Sequence, residues 1–230
     1  MTKTQKGFIP SPERKSIRGS SVKDANFRLV RGFTLIELLI VIGILAVLAT
    51  VTLVVLNPAQ MFAQARDSRR VADLEAVNKA IGYVLLNGTI TDLDGALATV
   101  CGTAGAQTTS FYGTISSIVA ASHSFVCAGT CTQVAAPASP TLTDGTGWVP
   151  INFNTGMMTG TSISALPVDP VNSTTYAYSY GCNNAAMTYE LNANLESVRY
   201  ANGGTDDKES KDGGNSTGVY EVGNDPGLNM

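Results

Sequence analysis

The stretch that decides the fold is Arg31-Gly32-Phe33-Thr34-Leu35-Ile36-Glu37-Leu38-Leu39-Ile40, where an apolar run begins. The run continues to Leu56, so that Phe33–Leu56 holds 24 residues and a single charged side chain, Glu37. At a rise of about 1.5 Å per residue, a helix of this length measures about 36 Å and crosses the hydrocarbon core of a bilayer. The sequence therefore predicts a transmembrane helix with one carboxylate near its start, which is costly to bury without a partner.

The residues Arg-Gly-Phe-Thr-Leu-Ile-Glu at positions 31–37 resemble the processing site of type IV pilins and type II secretion pseudopilins. In that family a membrane peptidase cuts after the glycine, and the new N-terminal phenylalanine is then N-methylated. The resemblance implies cleavage between Gly32 and Phe33, methylation of Phe33, and an assembly role for Glu37. It also implies a structural subunit, not an enzyme, that forms a helical homo-polymer after processing by a prepilin peptidase and assembly by pilus or secretion machinery.

The assembly role expected of Glu37 also has a physical basis. Cleavage would give Phe33 a positively charged amine about one helical turn from this carboxylate. In a staggered bundle of helices, the amine of an incoming subunit meets Glu37 of a neighbour, and only one register neutralises both charges in a low-dielectric layer. The alternative is a signal-anchored monomeric extracellular domain that binds a ligand or catalyses a reaction, with Glu37 an incidental charge at the membrane surface.

The residues before the cut form a basic leader, 1–32, with eight basic and two acidic side chains and a net charge of +6. Because basic flanks stay in the cytoplasm, the leader predicts a single pass through the inner or cytoplasmic membrane with the head outside. The assembled filament would then be periplasmic or on the cell surface. Residues 33–230 carry 7 basic and 16 acidic side chains, a net charge of −9, which argues against direct binding of nucleic acid.

Beyond the apolar run, Asn57-Pro58 predicts a kink in the helix. Residues 57–86 are expected to continue as an amphipathic helix. Its apolar side chains at helical spacing are Val71, Leu74, Val77, Ile81 and Val84. Residues 87–230 are predicted to form a globular head, with a variable loop at 87–147 and an antiparallel sheet at 148–222.

Four segments of the head are predicted as strands. They are Trp148–Phe153, Thr175–Cys182, Met187–Leu191 and Val219–Val222. The second and third alternate in polarity around Asn183-Asn184, which predicts an antiparallel hairpin whose apolar face covers the amphipathic helix. The fold class is therefore α+β: a long N-terminal helix, transmembrane in its first half, packed against a small antiparallel sheet. The resemblance implies the same pilin-like architecture.

The cysteines predict disulfides, because an even number in an exported head favours pairing. They are Cys101, Cys127, Cys131 and Cys182. Three full pairings are open, and we favour Cys127–Cys131 with Cys101–Cys182. Free thiols and a zinc site are the alternatives, although the sequence has no Cys-x-x-Cys pair and a single histidine.

Catalysis is not predicted. The histidine, His123, lies between two serines, but adjacent residues on one strand do not form a catalytic triad, and no Gly-x-Ser-x-Gly turn is present. No cofactor is predicted either. An exposed loop near the C-terminus carries Asp206, Asp207, Glu209 and Asp212. Calcium, which prefers oxygen ligands, is the alternative occupant of this acidic loop.

Overall fold

The structure is a computed structural model of the chain. The residues that it describes are 32–87, 90, 92–95, 101, 110–119, 132–154 and 161–225. The chain divides into two units between Thr50 and Val51. The helices are α1 (Leu35–Leu56) and α2 (Pro58–Leu86). The strands in the described residues are β1 (Ser110–Gly113), β2 (Thr132–Gln133), β3 (Tyr178–Asn183), β4 (Thr188–Ala193) and β5 (Tyr220–Gly223).

Helix α1 is apolar on every side, and none of its 22 residues is buried. A helix that is hydrophobic all round needs either a protein core or a membrane to cover it. Among the described residues, the helical segment Leu35–Leu86 is the one that contains a stretch long and apolar enough to span a membrane.

Asn57 separates the two helices, as the sequence predicts. Its backbone adopts a left-handed conformation, with φ at 39° and ψ at 73°, which asparagine tolerates better than most residues. Pro58 follows at the first position of α2, where its missing N–H costs no hydrogen bond. The Asn57 carbonyl then accepts hydrogen bonds from the backbone N–H groups of Gln60 and Met61.

The inner face of α2 builds the core of the head. Its buried residues are Ala63, Asp67, Arg70, Leu74, Val77, Ala80, Ile81 and Val84. From Leu74 onward, the apolar members pack with side chains of β3 and β4, including Tyr178, Tyr180 and Leu191, in one cluster. The predicted α+β fold, with the hairpin covering the helix, is therefore confirmed. Before the predicted apolar stripe begins, α2 also buries an aspartate and an arginine, Asp67 and Arg70, which were not predicted.

The sheet has five strands in the order β2-β1-β3-β4-β5. The predicted hairpin is confirmed: β3 and β4 are antiparallel, with Tyr180 opposite Leu191. The turn between them is held by the Asn183 side chain, which accepts hydrogen bonds from the N–H groups of Ala185 and Ala186. The predicted final strand is also present as β5, antiparallel to β4.

Two features of the sheet differ from the prediction. The edge pair β1–β2 is parallel, so the sheet is mixed and not purely antiparallel. Parallel neighbours need a long crossover in place of a tight hairpin, and 18 residues separate these strands in the sequence. Both strands also come from the segment 87–147, which was expected to be a variable loop outside the sheet.

Trp148–Phe153 is not a strand, contrary to the prediction. The segment forms one isolated bridge, between Asp144 and Asn152. Pro150 lies in its middle and has no N–H to donate to a ladder. The apolar residues of the segment are nevertheless buried, and the Trp148 indole donates a hydrogen bond to the Pro167 carbonyl at 2.8 Å. Burial alone produces the apolar pattern that suggested a strand.

Candidate functional site

The first turn of α1 is closed by a reciprocal pair of residues, Thr34 and Glu37. The Thr34 hydroxyl and backbone N–H donate hydrogen bonds to Glu37 Oε2, at 2.7 and 2.8 Å. In return, the backbone N–H of Glu37 donates to Thr34 Oγ1 at 3.3 Å. This arrangement is a capping box. It places a carboxylate at the positive end of the helix dipole, where a negative charge is favourable.

The predicted processing residues lie just before this capping box. The Phe33 side chain is 82% exposed. A Cβ atom added to Gly32 would meet no other atom within 4 Å, so the fold itself does not require glycine at this position. The structure therefore places Gly32, Phe33 and Glu37 at one accessible helix end.

The Glu37 carboxylate keeps one oxygen available for another donor. Its hydrogen bonds from Thr34 all end on Oε2, and within the described part of the chain Oε1 accepts none. A carboxylate can accept about four hydrogen bonds, so a neighbouring ammonium group can bind Oε1 while the capping box stays intact. Thr34 was not among the residues predicted from the sequence, although the spacing Thr-x-x-Glu before an apolar run is a known signature of a capping box.

A second cluster of charged residues lies within the head, around Arg70. Its guanidinium is fully buried and binds Asp169 through Nε at 2.6 Å and Nη2 at 3.0 Å. It also binds Asp67 at 2.7 Å and Glu196 at 2.5 Å. Burial lowers the pKa of Arg70, but these three carboxylates outweigh burial and raise it above its ordinary value. Arg70 therefore stays charged and ties α2 to two distant segments of the head.

Asp67 adds further hydrogen bonds between α2 and the segment that contains Glu196. The Asp67 carboxylate accepts hydrogen bonds from the N–H groups of Glu196 and Ser197, at 3.0 and 2.7 Å. Burial raises the pKa of Glu196, but hydrogen bonds from Arg66 and Arg70 outweigh it and hold the pKa below its usual range. This cluster was not predicted from the sequence. The pattern that could have predicted it is the position of Asp67 and Arg70 on the helix, because both lie on the same face as the buried apolar residues of α2.

The structure contains a disulfide between Cys101 and Cys182, which is the longer-range pairing favoured from the sequence. Cys182 lies in β3 and is fully buried, and Cys101 is 4% exposed. The bond spans a sequence separation of 81 residues. Cys127 and Cys131 lie outside the described residues, as does His123, so their predicted roles stay predictions.

The acidic loop is partly buried, contrary to the expectation of an exposed segment. Hydrogen bonds from the Ser210 hydroxyl and backbone lower the pKa of Asp207 to about 2. Glu209 accepts hydrogen bonds from the N–H groups of Leu195 and Asn202, while burial raises its pKa. Among the described residues, no group of three or more His, Cys, Asp or Glu side chains is placed to hold a metal ion. The calcium alternative stays a prediction.

Comparison with known proteins identifies one part of the chain. Residues 27–53 match a family model described as the prokaryotic N-terminal methylation motif. This match contains Gly32, Phe33, Thr34 and Glu37 and most of α1. Neither the curated proteins nor the solved structures gave a match to the chain.

Proposed function

The chain carries the N-terminal methylation motif that is the signature of type IV pilins and pseudopilins, and we propose that it is a structural subunit of a type IV pilus-like filament. The observation that carries this proposal is the motif at the start of an apolar helix with no buried residue. The motif points to a structural protein, and it implies processing by a prepilin peptidase and assembly into a pilus-type complex.

Processing is proposed to occur between Gly32 and Phe33. Because a Cβ atom on Gly32 would meet nothing within 4 Å, Gly32→Ala leaves the fold unchanged and tests recognition by the peptidase alone. We expect the variant to accumulate as an unprocessed precursor on a gel. The matched control is Gly43→Ala, within α1, where an added Cβ also meets nothing within 4 Å and normal shortening is expected. Normal shortening of Gly32→Ala would contradict the proposed cleavage site.

Glu37 is proposed to set the register between subunits. Cleavage exposes a positively charged amine on Phe33, and the free Oε1 of a neighbour's Glu37 can accept it. In a low-dielectric bundle an unpaired charge is costly, so the staggered arrangement that pairs every amine with a carboxylate is preferred. The hydrophobic effect does not supply this selectivity, because lipid tails cover the apolar surface of α1 about as well as neighbouring helices do.

The test of this role compares Glu37→Ala with Leu38→Ala, which removes an exposed apolar side chain at the same level of the helix. For Glu37→Ala we expect normal membrane insertion and processing but few filaments. For Leu38→Ala we expect filament yields close to wild type. Sheared filaments are quantified by electron microscopy and by immunoblot. Wild-type assembly of Glu37→Ala would show that the carboxylate does not set the register.

The head is proposed to lie outside a single membrane span, with the filament in the periplasm or on the cell surface. The +6 leader supports this orientation through its preference for the cytoplasmic side. Mass spectrometry of the mature N-terminus tests the whole proposal. N-methyl-phenylalanine at residue 33 is the expected result, and an intact leader would favour a signal-anchored monomer. Electron microscopy of the cell surface separates a long pilus from a short secretion pseudopilus.

A further inference from the structure

A cavity of about 400 Å³ lies within the head, between α2 and the acidic loop. On one side it is lined by Val71 and Glu75, which lie about one turn apart on the same face of α2. Tyr220, the first residue of β5, and loop residues between Thr205 and Asp212 complete the lining. Small-molecule sites in proteins have volumes of about 300–1,000 Å³, so the cavity has the size of a site for a small ligand.

Hydrogen bonds within the head hold the walls of this cavity in place. The Asp212 carboxylate accepts the backbone N–H of Glu221 at 2.7 Å, which ties the end of the acidic loop to β5 beside Tyr220. Earlier in the loop, the backbone N–H of Lys208 donates to the Tyr200 carbonyl at 2.8 Å. Because the loop is already fastened at both points, a ligand that enters the cavity does not have to order it first.

Tyr220 brings a hydroxyl without a protein partner to the cavity. The residue is 8% exposed, and within the described part of the chain its hydroxyl makes no hydrogen bond. Burial and the negative charges of Glu75 and Asp212 raise the pKa of Tyr220 to about 12, so the hydroxyl keeps its proton at neutral pH. Buried polar groups in native proteins nearly always have a hydrogen-bond partner. The hydroxyl of Tyr220 can therefore donate to a ligand in the cavity.

The lining also carries one charge of each sign that is not neutralised by another side chain. Among the described residues, Lys211 forms no ion pair. The Asp212 carboxylate accepts backbone N–H groups alone, from Gly214 at Oδ1 and from Glu221 at Oδ2. Because a carboxylate can accept about four hydrogen bonds, Asp212 can bind a further donor. A ligand that matches both residues must itself carry a positive and a negative group.

We propose that this cavity binds a small zwitterion, such as an amino acid or a short peptide, through its ammonium and carboxylate groups. The ammonium group donates hydrogen bonds to Asp212. The carboxylate binds the ammonium of Lys211 and accepts a hydrogen bond from the Tyr220 hydroxyl. All of these residues belong to the head, so the proposed binding depends neither on membrane insertion nor on filament assembly.

The proposal is tested by saturation-transfer difference NMR on the full-length protein in detergent, with EDTA present and empty micelles as the background. The probe is the dipeptide alanylalanine, and butylamine and propionate each present one of its two charges alone. The decisive variant is Tyr220→Phe, which removes a hydroxyl and keeps the ring. Its matched control is Tyr83→Phe, because Tyr83 is 62% exposed on α2 and does not line the cavity. Lys211→Met is a second variant, at an exposed position where misfolding is not expected.

We expect alanylalanine to bind the wild-type protein and Tyr83→Phe with the same Kd. For Tyr220→Phe and Lys211→Met the Kd should rise about tenfold or more, because each variant loses a hydrogen bond to a charged group. Butylamine and propionate should bind the wild-type protein about tenfold more weakly than the dipeptide. Absence of binding to the wild-type protein, or an unchanged Kd in both cavity variants, would overturn the proposal. Butylamine or propionate binding as tightly as the dipeptide would also overturn it, because one charge would then suffice.

Discussion

Replacing Arg70 by methionine removes a buried guanidinium while keeping an unbranched side chain that matches the aliphatic part of arginine. In the structure Arg70 is fully buried and its guanidinium binds Asp67, Asp169 and Glu196. Its loss leaves Asp67 and Asp169, which are 0% and 3% exposed, without their cation. Removing one partner of a buried ion pair typically costs about 3–5 kcal/mol, because the remaining charge is uncompensated.

The expected loss of unfolding free energy lies toward the lower end of that range, because both aspartates keep other hydrogen bonds. Asp169 keeps hydrogen bonds from the N–H groups of Val171 and Asn172, and Asp67 keeps those from Glu196 and Ser197. We therefore expect Arg70→Met to lose about 3 kcal/mol of unfolding free energy. For a domain stable by about 5–15 kcal/mol this is a large fraction.

The assay is urea denaturation of the detergent-solubilised protein, followed by the fluorescence of Trp148, which is buried next to Tyr178. With a slope of about 1–3 kcal/mol per molar urea, the midpoint should fall by about 1–3 M. The matched control is Arg69→Met, which removes an exposed guanidinium 3.5 Å from Asp73 and should change stability by less than about 1 kcal/mol.

A second comparison separates the uncompensated charge from lost packing. Adding Asp169→Asn to Arg70→Met removes one stranded charge, so the double variant should recover part of the lost stability. Equal midpoints for the variants at positions 69 and 70 would refute the reasoning. A double variant less stable than Arg70→Met alone would show that packing, and not the stranded carboxylate, sets the cost.

Three further predictions concern the head. Cys182→Ser removes the disulfide to Cys101 and should lower the unfolding free energy by about 4 kcal/mol, given the length of the closed loop, as measured by urea denaturation without reductant. Glu196→Gln should be less stable than wild type at neutral pH. The folded-state pKa of Glu196 is depressed, so the stability difference between wild type and variant is fully present above the unfolded pKa of about 4.3 and shrinks as pH falls through the folded-state pKa. Thermal denaturation between pH 7 and 3 measures this difference. A stability difference that grows in acid would contradict the prediction. Gly82→Ala should stabilise α2 by up to about 1 kcal/mol, because an added Cβ meets nothing within 4 Å; a lower melting temperature would argue against it.

Local signals predicted the helices and the hairpin because those elements depend on neighbouring residues. Asn57-Pro58 marks the helix break through backbone chemistry alone. The stripe from Leu74 to Val84 and the alternation around Asn183 each follow the period of one regular element. The methylation motif is likewise a contiguous pattern, so it was recognised without a structure and the roles of Gly32 and Glu37 were predicted from it.

The features that sequence reasoning missed depend on contacts between distant segments. β2 has only two residues, too short for any periodic signal, and it pairs in parallel with β1, from which 18 residues separate it in the sequence. In the sequence, Asp67 and Arg70 resemble solvent-exposed charges, because their partners Asp169 and Glu196 lie far along the chain. A charge on the buried stripe of a helix is the general sign of such a network, because burial without partners would be too costly.

The buried charged groups of the head are bound by partners within the head, whereas α1 has an apolar surface and a carboxylate that other molecules must cover or bind. In the head, Arg70 and its carboxylates saturate one another, and the acidic loop binds its own backbone. Helix α1 is the reverse, with no residue buried and one carboxylate whose Oε1 accepts no hydrogen bond within the described residues. Lipid and neighbouring helices can both cover an apolar surface, and the exchange between them has little directional preference. In the proposed filament, the pairing of Glu37 with a neighbour's amine therefore supplies a directional preference that the hydrophobic effect alone does not.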